Sequence, residues 1–205
     1  MLAVDVLPIA LLVVPAYLLG TFPTAALVAR AGGHDVLAEG SGNPGASNVA
    51  RLMGWKAGAV VMAGDFLKGT LAAGVGLAVG GRLAAYVLGI AAILGHVFPV
   101  TRRFKGGKGV ATASGALAVL FPWIVAGLAV VWFLLARVLK RASIASIVCT
   151  LLFVVLAIVG GYDWVEVAVL AGLAVVILGR HGANVRRLVR GEEPRLPTRG
   201  EEDAA

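Results

Sequence analysis

The segment Lys105-Gly106-Gly107-Lys108-Gly109, entered through Phe104 and left through Val110-Ala111-Thr112, concentrates the residue types that hold an oxyanion. Three glycines among five residues let a backbone turn with its N–H groups exposed, and two lysines add positive charge, a combination suited to a phosphate. A second polar run, Gly40-Ser41-Gly42-Asn43-Pro44-Gly45-Ala46-Ser47-Asn48 with Arg51 just beyond, carries more donors than a turn needs, although Asn-Pro-Gly is good turn chemistry by itself. Further candidates are His96, beside Gly95 and shortly before Phe98-Pro99, the helix-start serines Ser143 and Ser146, and His181, Asn184, Arg186 and Arg187. Cations and neutral donors of this kind fit a ligand that is anionic at one end.

The chain around these residues is greasy. Of 205 residues 60% are hydrophobic and 14% charged, with a mean hydropathy of +0.94, which excludes an ordinary soluble domain. Long apolar runs whose backbone must bond to itself predict an all-α, polytopic integral membrane protein. The net charge of +7 gathers in a few loops, and no nucleic-acid partner is expected. The first apolar run, with Asp5 before it and no basic stretch, reads as a retained helix rather than a cleaved leader. The single Cys149 lies in an apolar run and reads as packing.

Apolar spans are expected over residues 4–29, 57–80 and 83–99, with a short Gly81-Arg82 turn between the last two, and over 144–159 and 165–179. The run 110–139 is about thirty residues long, well beyond one crossing, and Pro122 would break a helix near its middle. Two crossings there, 110–120 and 123–139, put the basic loops at 31–51, 102–108 and 140–141 and the basic stretch from Arg180 on one side, as cytoplasmic segments should be. The expectation is therefore seven transmembrane helices, N-terminus outside and C-terminus cytoplasmic, with a short fourth span. Residues 1–191 would form one transmembrane domain and 192–205 a charged, flexible tail. This topology gathers the candidate residues on the cytoplasmic face.

Each candidate also has a plainer role. Basic loop residues serve topogenesis, which suits Arg102, Arg103, Lys140, Arg141, Arg186 and Arg190 better than Lys108, flanked as it is by glycines. Asp65 and Lys68, one turn apart inside the second span, should pair with each other or brace the cytoplasmic loops. His96 could simply bond to backbone at a helix end, His34 reads as a loop residue, and Ser143 and Ser146 could be caps. The three histidines lack metal-ligand spacing.

The segments quoted above, together with Asp65-Phe66-Leu67-Lys68-Gly69, Gly95-His96-Val97-Phe98-Pro99-Val100 and His181, Asn184, Arg187, Gly191 and Glu193, closely resemble the bacterial acyl-phosphate:glycerol-3-phosphate acyltransferases over nearly the whole chain. Ser47 stands where that family commonly has threonine. The resemblance implies a multi-pass bacterial inner-membrane enzyme with its site on the cytoplasmic face. It would move a fatty acyl group from acyl phosphate to the 1-hydroxyl of glycerol 3-phosphate, giving lysophosphatidic acid and phosphate without metal or cofactor. It implies catalytic roles for Lys108, Arg51, His181, Asn184 and Ser41, and substrate binding by Asn43, Gly45, Asn48, Lys105, Gly106, Gly107, Gly109, His96, Ser143 and Ser146. Of the two serines the resemblance favours Ser146, and spacing does not separate them. The proton of the attacking hydroxyl could pass to His181 or to the acyl phosphate; the latter is favoured because no carboxylate in the last motif is evidently placed to orient His181. The His-x4-Asp pair of soluble and peripheral glycerolipid acyltransferases is absent: His34, His96 and His181 are followed five residues on by Glu39, Thr101 and Arg186. An organophosphate transporter should show two similar halves, and a metal-dependent head-group phosphotransferase should carry clustered aspartates, whereas the expected spans contain only Asp65 apart from Asp5 at the very start of the first.

Overall fold

The computed structural model describes residues 6–197. Its backbone is helical, with α1 (Val6–Gly20), α2 (Thr24–Ala31), α3 (Ala46–Val97), a 3-10 turn (Val100–Arg102), α4 (Val110–Leu120), α5 (Pro122–Leu139), α6 (Ala142–Val159), α7 (Trp164–Arg180) and α8 (Gly182–Val189), and no strand among the described residues. Asp5 and residues 198–205 of the expected tail lie outside the described residues. The chain divides into two compact units, one ending at Pro122 and the other starting at Trp123. The division falls at the proline expected to break the long apolar run. α4 ends at Leu120, Phe121 leaves the helical region (φ −137°, ψ 57°), and Pro122, which has no N–H to donate, opens α5.

In the first unit, α3 conceals two reversals within its 52 residues, at Gly54 (φ 82°) and at Gly80-Gly81 (φ 68° at Gly81), where the backbone enters a region that disfavours a Cβ. The second reversal is the expected short turn, and it folds 82–97 back along 55–79. Gly76 packs against Ala84 and Ala85, and Gly89 faces Ala73. α1 runs in the same direction as 82–97, with Ile9 beside Gly80 and Tyr17 beside Gly95, and Ala16, Ala72, Leu88, Ala91 and Ala92 form a small-residue core that lets the helices approach closely. α4 starts beside Gly69 and ends where Arg82 Nη1 donates to the Leu120 carbonyl (3.4 Å) and its guanidinium sits 5.2 Å from the Phe121 ring centroid. Short as it is, α4 therefore extends along 55–79 from Gly69 to the Gly80-Gly81 turn.

In the second unit, α5 and α6 are tied by Trp132 Nε1 donating to Ser146 Oγ (3.0 Å) and by Cys149 against the Leu128 carbonyl (3.6 Å). Asp163 caps α7, accepting from the Val165 N–H (2.8 Å). α8 follows α7 at a bend of 54°, and His181 sits at the corner.

By length and apolarity alone, four helical stretches can cross a membrane: Val6–Ala31, Ala46–Arg102, Pro122–Leu139 and Ala142–Val159. The bent pair α7–α8 would be a fifth. Two features separate this count from the expected seven. The Gly80-Gly81 turn places two antiparallel helices inside one apolar stretch, and α4 has only 11 residues.

Candidate active site

In the first unit the polar run before α3 is organised by Asn48, which is buried. Its Nδ2 donates to the carbonyls of Val36 and Glu39 (both 3.1 Å), and its Oδ1 accepts from the Ser41 N–H (2.8 Å). Both amide ends are thus taken by backbone, so Asn48 shapes the loop that presents Ser41 rather than offering its own donors. Gly40 (φ 60°) is required there because a Cβ would collide with Asn48 Oδ1. Ser41, Asn43 and Gly45 are partly exposed, as is Arg51 one turn further along α3. His34 is a loop residue as expected, 2.7 Å from Glu39 Oε2. His34 as donor, ahead of the Asp35 N–H, lowers the Glu39 carboxyl below its ordinary range.

The glycine-lysine loop is held differently. The Gly107 N–H donates to the His96 carbonyl (3.1 Å), and Gly107 lies so close to the His96 ring that a Cβ would collide with it. Gly106 is equally confined, against the carbonyls of His96 and Val97 and the Pro99 ring. Neither glycine has a positive φ among the described residues; Gly109 does (φ 89°), and it begins α4. The expectation that all three glycines free the backbone to turn is therefore corrected. Gly109 makes the turn, whereas Gly106 and Gly107 permit close approach. Just before the loop, Arg103 and Phe104 adopt left-handed conformations (φ 50° and 62°), each costing about 1 kcal/mol or more. Lys105 is exposed and Lys108 half-buried, immediately before the first-turn amides of α4, where an anion is stabilised by oriented N–H groups.

His96 is buried at the end of α3, its Nδ1 3.6 Å from Asp65 Oδ1. Asp65 also holds Lys68 at 2.7 Å, the pairing expected from their spacing. Tyr17, which sequence reasoning passed over because it lies in an apolar run, donates its hydroxyl to the Phe98 carbonyl (2.6 Å) and accepts from the Val100 N–H (3.0 Å).

In the second unit the hub is Glu193. Its Oε1 accepts from Ser143 Oγ (2.7 Å) and Asn184 Nδ2 (2.6 Å), and its Oε2 from Arg187 Nε (2.9 Å). α8 places Asn184 and Arg187 three residues apart on one face, and Gly191 (φ 74°) turns the chain back beneath them. Burial pushes the Glu193 carboxyl up, but those three hydrogen bonds and the Arg187 charge outweigh it and hold it below its ordinary range. Because a carboxylate only accepts, the Asn184 amide must turn its nitrogen to Glu193, and its buried Oδ1 has no hydrogen-bond partner among the described residues. His181 is buried and its Nδ1 lies 2.8 Å from the Ile177 carbonyl, which can only accept; Nδ1 therefore carries the proton. Ser143 is committed to Glu193, while Ser146 accepts from Trp132 and keeps its own proton to donate. The packed chain also continues past residue 191: Glu193 and Leu196 are buried, and the Leu196 N–H donates to the Lys140 carbonyl (2.7 Å).

The profile of the glycerol-3-phosphate acyltransferase family matches residues 10–191. The chain belongs to that family. It is 42% identical over 186 residues to a glycerol-3-phosphate acyltransferase of Bacillus cytotoxicus, covering 90% of this chain and 93% of the relative. With the glycerol-3-phosphate acyltransferase of Bacillus subtilis it shares 38% identity, covering 92% and 97%. Among solved structures it is similar to the integral membrane glycerol 3-phosphate acyltransferase PlsY (YgiH). The glycerol 3-phosphate form superposes with a TM-score of 0.87 at 36% identity, covering 93% of this chain and 96% of that one. The lysophosphatidic acid form gives 0.84 at 36% identity, covering 92% and 95%. Like its relatives this acyltransferase-family member is a multi-pass membrane protein.

Proposed function

We propose that the protein transfers a fatty acyl group from acyl phosphate to the 1-hydroxyl of glycerol 3-phosphate, releasing lysophosphatidic acid and inorganic phosphate. The observation that carries this reading is the Lys105–Gly109 loop. Two glycines are pinned to the end of α3, a third turns directly into the α4 amides, and Lys108 stands between them. Family membership and the PlsY forms with glycerol 3-phosphate and lysophosphatidic acid support the substrates.

An acyl phosphate is a mixed anhydride with a good leaving group, so placement and charge neutralisation suffice for catalysis. The glycerol 1-oxygen attacks the acyl carbon, the bond from that carbon to the phosphate oxygen breaks, and the departing phosphate takes the hydroxyl proton. Lys108 and the loop amides neutralise one phosphate; Arg51 and His181 hold the other; Ser41, Ser146 and Asn184 orient the hydroxyls, Asn184 through its buried Oδ1. His181 Nδ1 is held by a backbone carbonyl rather than a carboxylate, so the ring lacks the charged partner of a histidine–carboxylate dyad, which favours binding over proton abstraction. Ser143, engaged by Glu193, supports Asn184 instead of substrate. Seven crossings, an outer N-terminus and a cytoplasmic reaction face in a bacterial inner membrane complete the reading. The basic loops support it, as does the extent of α4 along its neighbour.

The test is product formation by purified protein given palmitoyl phosphate and glycerol 3-phosphate, with palmitoyl-CoA and EDTA as controls. Lysophosphatidate and phosphate should form together, only from the acyl phosphate and without regard to EDTA. Lys108→Ala should lower the rate by about 100-fold or more, and His181→Gln should raise the KM for glycerol 3-phosphate with turnover retained. Equal use of palmitoyl-CoA would sink the donor assignment.

A further inference from the structure

We infer that the buried Asp65–Lys68 pair is a positioning device for the glycine-lysine loop, setting the spacing between its two ends. This rests on the proposed role of that loop as the phosphate cradle. The pair is nearly sealed, with side chains 5% and 3% exposed, and an ion pair so placed is costly unless every contact is used. The contacts described for it lead toward the loop's supports. Asp65 Oδ1 takes Lys68 Nζ at 2.7 Å and stands 3.6 Å from His96 Nδ1. Lys68 Nζ also donates to the Phe22 carbonyl (3.3 Å), next to Thr21, whose carbonyl receives Arg102 Nη2 (3.4 Å) just before the loop. The same helical turn reaches the loop's exit. Gly69 lies so close to the Thr112 carbonyl that a Cβ would collide with it, Gly115 is as close to the Phe66 carbonyl, and Thr70 Oγ1 donates to the Gly115 carbonyl (3.0 Å).

One stretch, Asp65 to Thr70, thus grips both ends of the segment 97–109. Asp65 and Lys68 engage the entry through His96, whose ring and carbonyl seat Gly107. Phe66, Gly69 and Thr70 engage the exit through the first two turns of α4. The left-handed Arg103 and Phe104 leave the intervening chain strained, and strain persists only where surrounding structure over-determines it. Charge is what this grip needs at Asp65. A carboxylate can hold the Lys68 ammonium and attract the His96 edge at once, whereas a neutral amide would let His96 and Gly107 drift. A misplacement of about 1 Å at a phosphate cradle costs on the order of 100-fold in rate.

The test uses the double variant Asp65→Asn/Lys68→Met, which removes both charges and leaves neither buried alone, and Lys68→Arg, which keeps the pair but lengthens one arm. Purified protein is compared by thermal unfolding, by hydrogen exchange of the amides over 104–112, and by steady-state kinetics with palmitoyl phosphate and glycerol 3-phosphate. The double variant should remain folded, exchange its loop amides at least about tenfold faster, and lose about 30-fold or more in kcat/KM. Lys68→Arg should raise the KM for a phosphate substrate by about fivefold, with melting unchanged. If the double variant cannot be recovered folded, Lys68→Arg alone decides. Wild-type exchange and kinetics in Lys68→Arg, or in a folded double variant, would overturn the inference and leave the pair as a purely structural ion pair. Exchange is read without turnover, so a wild-type protein inactive on acyl phosphate would refute the proposed reaction while the loop measurement still decided the role of the pair.

Discussion

The glycine-lysine loop of the first unit and the Glu193 cluster of the second solve the same problem in opposite ways. Each must fix polar groups within a greasy chain. The loop does it by removing atoms: Gly106 and Gly107 come so close to the end of α3 that no side chain fits, and one backbone hydrogen bond to the His96 carbonyl sets the register. The cluster does it by adding a charge: a single carboxylate gathers Ser143, Asn184 and Arg187, one from α6 and two from α8. A site built on close approach should fail when anything is added, with the fold intact. A site built on a charged acceptor should fail when the acceptor is removed, and stability should fall with it.

The largest effect is expected at the cluster. Glu193→Ala strands three donors, one of them charged, and should destabilise the second unit by about 3 kcal/mol; Arg187, 29% exposed, keeps some contact with water, which limits the loss. Glu193→Gln, which retains acceptor oxygen on one side, should cost less. The lowered pKa of Glu193 fixes the sign of the pH dependence. Its contribution is fully present above the ordinary carboxylate value and is lost as pH falls through the lower, folded value. Thermal unfolding of wild type and Glu193→Gln should therefore differ at neutral pH and converge in acid. A constant difference across that range would show that the charge is not what the cluster uses.

At the loop, Gly107→Ala puts a methyl against the His96 ring and should lower kcat/KM by about 100-fold, while melting falls by no more than the 1–3 kcal/mol typical of overpacking. Kinetics and unfolding on one preparation separate the two. Full activity in Gly107→Ala would break the comparison, because the loop would then owe nothing to close approach.

What could be read from the sequence follows the same division. Glycines between lysines announce the loop, Pro122 announces the break between α4 and α5, and the Asp65–Lys68 spacing announces their pairing, because each is a local signal. The Glu193 hub depends on Gly191 turning the chain back under α8, and nothing in a run of Gly-Glu-Glu-Pro distinguishes a buried carboxylate from a solvated tail. Tyr17 is similarly silent. Its hydroxyl matters only because α1 and residues 82–97 end side by side, a packing fact with no sequence period. A turn at Gly81-Arg82 was legible and falls one residue from the observed Gly80-Gly81 reversal, yet the reason Gly106 and Gly107 are glycines was not, since a glycine that turns and a glycine that is crowded look the same in sequence.

The smallest effect sharpens the comparison at a third place, the loop before α3. His34 and Glu39 form a hydrogen-bonded pair there that draws the eye, but both side chains are over 30% exposed. Exposed pairs contribute little, and Glu39 is also engaged by the Asp35 N–H. The fold of this loop rests instead on Asn48, buried, with three hydrogen bonds to backbone. His34→Ala should accordingly change kcat/KM by less than about twofold, whereas Asn48→Ala, which orphans buried carbonyls and the Ser41 N–H, should cost about 2 kcal/mol in melting. Glu39 itself adds no pH dependence near neutrality, because its lowered carboxyl titrates in acid. If His34→Ala proved the more damaging of the two, the pair would be holding Ser41 through Glu39, and the loop would belong with the Glu193 cluster as a charge-built element.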